Sequence, residues 1–295
     1  MTTLLALFFL FGFAQGDDSE ILLKVSGGNL HVELPAKGVT ATRQAQTDWL
    51  KRAAHAVSQY FSRFPVKDVW ISVKNRGSGE SIGGTTWSGQ KIELRLGQGV
   101  DNERLAKDWT ATHEMFHLAF PQVEGDFEWM GEGLATYLEP LARARVGDLK
   151  ADQVWSDMVA GLPRGRPKEG DQGLDQDHTW ARTYWGGALF WFEADVQIRE
   201  KTKNKFSLDS AMRAILNAGG DGSETWSQDK IFKTADKAVG LTVFTDLHQK
   251  MGLHSGDVDL DDLWKRLGIS KESKVIYDDK APLAWIRKAL VAKVE

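Results

Sequence analysis

No cysteine occurs anywhere in the 295 residues. Disulfide scaffolds, thiolate-held zinc, iron–sulfur clusters and thiol nucleophiles are thereby excluded, and any metal ion must be held by His, Asp or Glu. An excess of one charge is missing as well: 37 Lys and Arg stand against 41 Asp and Glu, a formal net charge of −4. That balance excludes a generally basic nucleic-acid binder and an acidic disordered tail. Long apolar runs are absent. Leu4 to Ala14 is an eleven-residue run, well short of the roughly 20 residues that a membrane-spanning helix needs. There is no internal repeat and no low-complexity tract. No Gly-Lys-Ser/Thr follows glycines 77 to 84, which excludes a P-loop.

What is there has ordinary globular usage, 42% hydrophobic and 26% charged. The length suits one or two domains of about 150 residues each. Twelve Trp imply a thick core or an aromatic-lined cleft, of which core is the plainer expectation. Residues 1–16 carry no charge, and Ala14 and Gly16 precede Asp17 in the spacing of a cleavage site. This segment reads as a secretory signal peptide, with a buried terminal strand or helix as the alternative. It predicts a secreted or periplasmic protein, stabilised by its core and not by disulfides.

Periodicity predicts strands within Ile21 to Leu34, a helix over Ala41 to Phe64 and a strand over Val66 to Val73. A Gly/Ser-rich loop is expected at Gly77 to Gly84. In Lys91 to Leu96, Ile92, Leu94 and Leu96 alternate with Glu93 and Arg95, the mark of a half-buried strand. A helix is expected over Asp101 to Ala119, stopping before Pro121. Further helices are expected over Trp129 to Arg145 and Thr183 to Glu200, with an exposed loop at Pro163 to Asp177 between them. The rest reads as helical, ending in an apolar segment around Ala281 to Val291. Mixed strands and helices followed by helices indicate an α+β class. The expected division is a signal peptide at 1–16, an α/β lobe at 17–100 and one helical unit at 101–295.

Inside the helix predicted over Asp101 to Ala119 lies His113-Glu114-Met115-Phe116-His117. At about 100° per residue, the two His fall about 40° apart on one face, so both imidazoles can reach one zinc ion. Glu114, beside them, can accept a proton from an attacking water. A helix with a surface His pair would match the same letters. A catalytic zinc with two His needs a third protein ligand and an open position. Fifteen positions after His117 stands Glu132, in the string Trp129-Met130-Gly131-Glu132-Gly133-Leu134-Ala135-Thr136-Tyr137-Leu138-Glu139. From the following helix Glu132 can be that ligand. Such a site, two neutral His and one carboxylate, would keep a net positive charge to polarise a carbonyl.

The Trp129 to Tyr137 string resembles the W-x-x-E-G-x-A-x-Y segment of gluzincin metallopeptidases. Tyr184-Trp185-Gly186-Gly187-Ala188 is similar to the Y-x-K-G-A segment of aminopeptidase-type gluzincins, including the glycyl aminopeptidase family. The stretches Phe232 to Val239, Phe244 to Met251 and Val258 to Ile269 look like that family's helical tail. The resemblance covers about residues 65 to 270. It implies a thermolysin-like zincin with a small mixed β lobe, one zinc ion, a peptide or protein substrate, and Tyr184 as stabiliser of the oxyanion. The sequence departs from the family in four places. The gap between His117 and Glu132 is shorter, and Gly186 replaces a Lys. The large β-domain ahead of the catalytic region is reduced, with no PDZ-like module after it. Gly83-Gly84-Thr85-Thr86-Trp87 stands where a Glu-containing motif binds the substrate's amine. Exo- and endopeptidase activity therefore both stay open. So do a silent zinc-stabilised binding protein on the same fold and a zinc hydrolase of a non-peptide amide.

Lesser candidates have plainer readings. The Lys91 to Leu96 strand could be the cleft edge on which an extended peptide pairs, or simply a core strand. Glu139 is expected to support the site or to lie on the helix surface. His178 reads as a loop histidine that could line the cleft. Asp171, Asp175 and Asp177 read as a solvated acidic loop without calcium-loop spacing. Asp259, Asp261 and Asp262 suit a helix cap, and His31, His55, His248 and His254 show no partners in the sequence.

Overall fold

The computed structural model describes residues 20–35, 37–88, 90–271 and 274–293. The segment read as a signal peptide lies outside the described residues. The first elements are β1 (Ile21–Val25), β2 (Gly28–Glu33), α1 (Arg43–Phe61), β3 (Asp68–Asn75), β4 (Ile82–Trp87) and β5 (Lys91–Leu96). They form a five-stranded sheet in the order β1-β2-β3-β5-β4. β2, β3 and β5 run parallel, and β1 and β4 lie antiparallel at the two edges. α1 is the crossover between β2 and β3. It packs a buried stripe of Trp49, Leu50, Ala53 and Val57 into the core that includes Leu30, Ile71 and Leu94.

The alternation in β5 does what its pattern predicts. Ile92, Leu94 and Leu96 are buried, while Glu93 faces out and pairs with Lys74 and Arg95. Two expectations fail here. β5 is an interior strand, so it cannot be the cleft edge; that place belongs to β4. β4 in turn takes in Ile82, Gly83 and Gly84, where the sequence predicts a loop. Two glycines give no apolar alternation, and this strand is defined by backbone pairing to β5.

The helical part comprises α2 (Asn102–Lys107), α3 (Thr110–His117), then short β6 (Gln122–Val123), α4 (Glu128–Arg145) and α5 (Ala151–Gly161). A π-helical turn at Arg182–Gly186 leads into α6 (Gly187–Thr202). There follow α7 (Leu208–Asn217), β7 (Thr225–Trp226), α8 (Gln228–Val239), α9 (Val243–Leu247), α10 (Leu260–Leu267), a hairpin of β8 (Ile269–Lys271) and β9 (Val275–Tyr277), and α11 (Ala284–Leu290). Among the described residues no helix is long and apolar enough to cross a membrane. The class is α+β: a small mixed sheet with a helical lobe, as in zincins.

Where a single helix was expected over Asp101 to Ala119, there are two. Asp108 is extended (φ −74°, ψ 144°), and its carboxylate accepts from the Thr110 N–H at 2.7 Å. An Asp that serves the next helix's first turn competes with continuing the previous one. The segment at Pro163 to Asp177 is not wholly exposed either. Leu174 and Asp175 are buried, Asp175 accepting from Trp129 Nε1 (3.0 Å), Gln228 Nε2 (3.1 Å) and the His248 ring (2.8 Å).

α6 is buried almost all round, with Leu189, Phe190, Trp191 and Phe192 inside. It crosses α4 at Gly133 and Gly187, where backbone meets backbone. A Cβ on Gly133 would come within 2.8 Å of the Ala188 nitrogen, and one on Gly187 within 2.8 Å of the Gly133 Cα. Trp191 Nε1 donates to the Met130 carbonyl at 2.9 Å across the same crossing. Truncating Trp191 to Ala would open a cavity costing about 3–5 kcal/mol. This crossing sets where the first turns of α4 lie.

Candidate metal centre

α3 carries His113, Glu114 and His117 on the wall of a cleft of about 610 Å³, with His113 and Glu114 buried. α4 brings Glu132 to the same wall. One ligand atom each from His113, His117 and Glu132 fall within 4.8 Å of one another. His113 Nε2 lies 3.0 Å and His117 Nε2 3.6 Å from Glu132 Oε2. The imidazole rings stand 5.1 Å apart at 76°.

The charges suit a cation. Burial pushes the Glu132 carboxyl up, but hydrogen bonds and charge from both imidazoles outweigh it and hold the carboxyl far below the usual carboxylate range. Burial lowers the pKa of His117, and the contact with Glu132 more than reverses that. Two imidazoles and one ionised carboxylate converging on one point fit a divalent ion of the zinc type, which takes N and O ligands. The residues present therefore fit zinc.

Glu114 and Tyr184 line the same cleft. Thr86 Oγ1 is 2.7 Å from Glu114 Oε2. Tyr184 sits on the π-helical turn, a widened turn frequent at functional sites. Its ring stacks on His113 (centroids 6.3 Å, 20°) and on Trp180 (5.2 Å, 24°). Burial, then the charges of Glu132 and Glu114, push its hydroxyl well above the usual tyrosine pKa, so it stays a donor. β4 forms one side of the cleft. The segment from Phe120 to Glu128 forms another, tied down by the pairing of β6 with β7.

The other sequence candidates lie elsewhere. His178 is half exposed, 3.9 Å from Asp126, and does not line the cleft. Glu139 is buried and not on a helix surface. It accepts from Arg143 Nη1 at 2.9 Å, while Arg143 also reaches Asp148 (2.7 Å) and the Lys107 carbonyl (3.3 Å). Arg143 thus ties α4 to the end of α2, and Glu139 is its partner on the same helix. Asp171 pairs with Arg182 at 2.7 Å, Asp177 accepts from the Thr179 N–H, and Asp259 caps α10 through Asp262 N–H. His254 bonds the Gln249 carbonyl at 2.8 Å, and two further histidines prove to have carboxylate partners. His248 meets Asp175, and His31 lies between Glu20 (2.7 Å) and Asp68 (3.0 Å) and stacks on Trp70. Neither pairing had a local sequence signal.

The tryptophans take both expected places. Trp49, Trp129, Trp155 and Trp191 are fully buried, whereas Trp87 and Trp109 are about half exposed and line the cleft. Trp109 lies four residues before His113, one helical turn, and its ring meets the imidazole edge-on at 5.4 Å. That spacing was the available signal for it. Thr86 had none, because nothing local ties it to Glu114.

No protein-family model matches the chain, and no curated protein matches it in sequence. Solved structures do match in fold. An aminopeptidase N family protein from Idiomarina loihiensis superposes with a TM-score of 0.63 at 15% identity, over 86% of this chain and 50% of that one. A point mutant of an M1 zinc metallopeptidase from Deinococcus radiodurans, bound to the substrate Tyr-Ser-Ala, superposes with a TM-score of 0.51 at 15% identity, over 81% and 51%. The chain spans about half the length of these structures. At such identities the likeness establishes the fold: this is the fold of zinc metallopeptidases.

Proposed function

We propose that the chain is a zinc-dependent peptidase. One observation carries the reading: His113, His117 and Glu132 converge within 4.8 Å on the wall of a cleft that Glu114 and Tyr184 also line. The fold shared with known zinc metallopeptidases supports it.

In this reading His113, His117 and Glu132 hold zinc. When bound, the ion supplies Lewis-acid polarisation of the scissile carbonyl and brings the pKa of the attacking water towards about 7. The residues of the chain do the rest. Glu114 takes the water's proton on its carboxylate and hands it to the leaving amine, the work of one general base and acid. Tyr184, kept protonated by burial and its acidic neighbours, donates its hydroxyl to the developing oxyanion. The half-exposed backbone of β4 offers an edge for an extended peptide.

The test is cleavage-site profiling of a mixed peptide library by mass spectrometry, with and without a chelator. Hydrolysis should vanish on chelation and return with zinc. Glu114→Gln should lower kcat by about 10²–10⁴ with zinc retained. A fully active Glu114→Gln variant, or a protein with no affinity for zinc, would overturn the reading. Loss of single N-terminal residues would assign an aminopeptidase, and internal cuts an endopeptidase.

A further inference from the structure

Glu114 is held from a side that its motif does not specify. Thr86 Oγ1, on edge strand β4, lies 2.7 Å from Glu114 Oε2 and 2.8 Å from the Glu114 carbonyl oxygen. That carbonyl belongs to the last turn of α3, where carbonyls lack helical partners. The amide of Leu118, four residues on, goes to Met115 and Phe116 instead. Two residues before Thr86, Gly84 leaves room for the same carboxylate. A Cβ there would sit 2.5 Å from Glu114 Oε1 and 2.7 Å from Cδ, well inside contact distance. Gly84 and Thr86 share one face of β4 because strand side chains alternate. Their partners on β5, Leu94 and Ile92, are both buried, so this is the inward face. The strand thus sets a hydroxyl against one oxygen of the carboxylate and an empty place against the other.

We propose that Thr86 is a positioning residue for Glu114, with Gly84 as the space that permits it. This rests on the reading of Glu114 as the group that moves the proton. A Glu side chain on a helix otherwise keeps wide rotamer freedom, and a base must be held close to its productive geometry to work well. The Thr86 hydroxyl has one proton and two acceptors in reach. It donates to the carboxylate while this is charged. Once Glu114 carries a proton, the hydroxyl turns to the Glu114 carbonyl and accepts from the carboxyl. The side chain therefore keeps a partner on both sides of the transfer.

The experiment compares Thr86→Val, which keeps the shape and loses the hydroxyl, with Thr86→Ser, which keeps the hydroxyl, both in the zinc-loaded full chain. Thr86→Val should lower kcat about 10–100-fold, the usual effect of losing an outer partner, with zinc content unchanged and KM within about threefold. Thr86→Ser should stay within about threefold of the parent. Equal losses in the two variants, or a loss confined to KM, would overturn the proposal. Crystal structures of the parent and Thr86→Val give a readout that needs no activity: the Glu114 carboxylate should leave its place, and an unmoved carboxylate overturns the proposal. If the parent cleaves no peptide, the peptidase reading falls, while this structural comparison still decides the role of Thr86. Should Thr86→Val fail to fold, Gly84→Ala carries the same test. Its methyl should displace the carboxylate and lower kcat with Thr86 intact, and an unchanged kcat would overturn the proposal.

Discussion

Glu132 and Glu139 stand on the same helix, seven residues apart. That is about 20° short of two full turns and about 10 Å along the axis, so both lie on nearly the same stripe of α4. Their environments drive them in opposite directions. At the cleft end, Glu132 meets two imidazoles that outweigh burial and keep its carboxyl far below the ordinary range. Two turns further on, burial pushes Glu139 up to about 7. Arg143 opposes this and Asp108 and Asp148 add to it. The helix determines where a carboxylate points. The groups that surround it there determine how readily it ionises.

The sharpest way to break this contrast is Glu132→Gln. An amide in place of the ionised ligand should reduce zinc retention and hydrolysis by more than about 100-fold, beyond the effect of losing an outer partner. Metal analysis after dialysis against a competing chelator checks this. Next in size is Arg143→Ala, which leaves Glu139 buried without its cation and should destabilise the fold by about 3–5 kcal/mol. The penalty should shrink in acid, where Glu139 takes up a proton, as urea unfolding at two pH values would reveal.

Glu139→Gln tests the ionisation itself. The folded-state pKa of about 7 lies above the ordinary 4.5, so the folded state binds the extra proton between these values. The stabilising contribution of this group is then full below pH 4.5 and falls as pH rises towards 7, by on the order of 3 kcal/mol. The Gln variant should flatten that part of the stability–pH curve, and an unaltered slope would contradict the assignment. Smallest of all, His178→Ala should change kcat/KM by no more than about twofold, as expected of a surface change of about 0.5 kcal/mol or less. A larger loss would bring His178 into the site that the geometry excludes it from.

Much of the fold was legible where a local period exists. The stripe of α1, the alternation of β5 and the cap of α10 at Asp259 all follow from side chains within a few residues of each other. The misses share a cause. The break at Asp108 came from a carboxylate turning to Thr110, a contest between two local bonding options that helical periodicity does not register. Strand β4 has too little apolar alternation to be read, because it carries two glycines, of which Gly84 leaves room for Glu114. Asp175 looked like a solvated loop residue because its three donors come from positions 46, 53 and 73 residues away.

The sequence alone determined the chemistry available. Without cysteine it left only N and O donors for zinc, and helical spacing put His113 and His117 on one face with Glu114 beside them. Those are local consequences of composition and of the α-helical repeat. Tertiary structure decided whether the groups meet. The crossing of α4 and α6 at Gly133 and Gly187 brings Glu132 to within 3.0 Å of His113. The π-helical turn stacks Tyr184 on the same imidazole, and the edge strand sets Thr86 against Glu114. These approaches depend on packing between elements far apart in the chain, and no local pattern encodes the distance between two backbones.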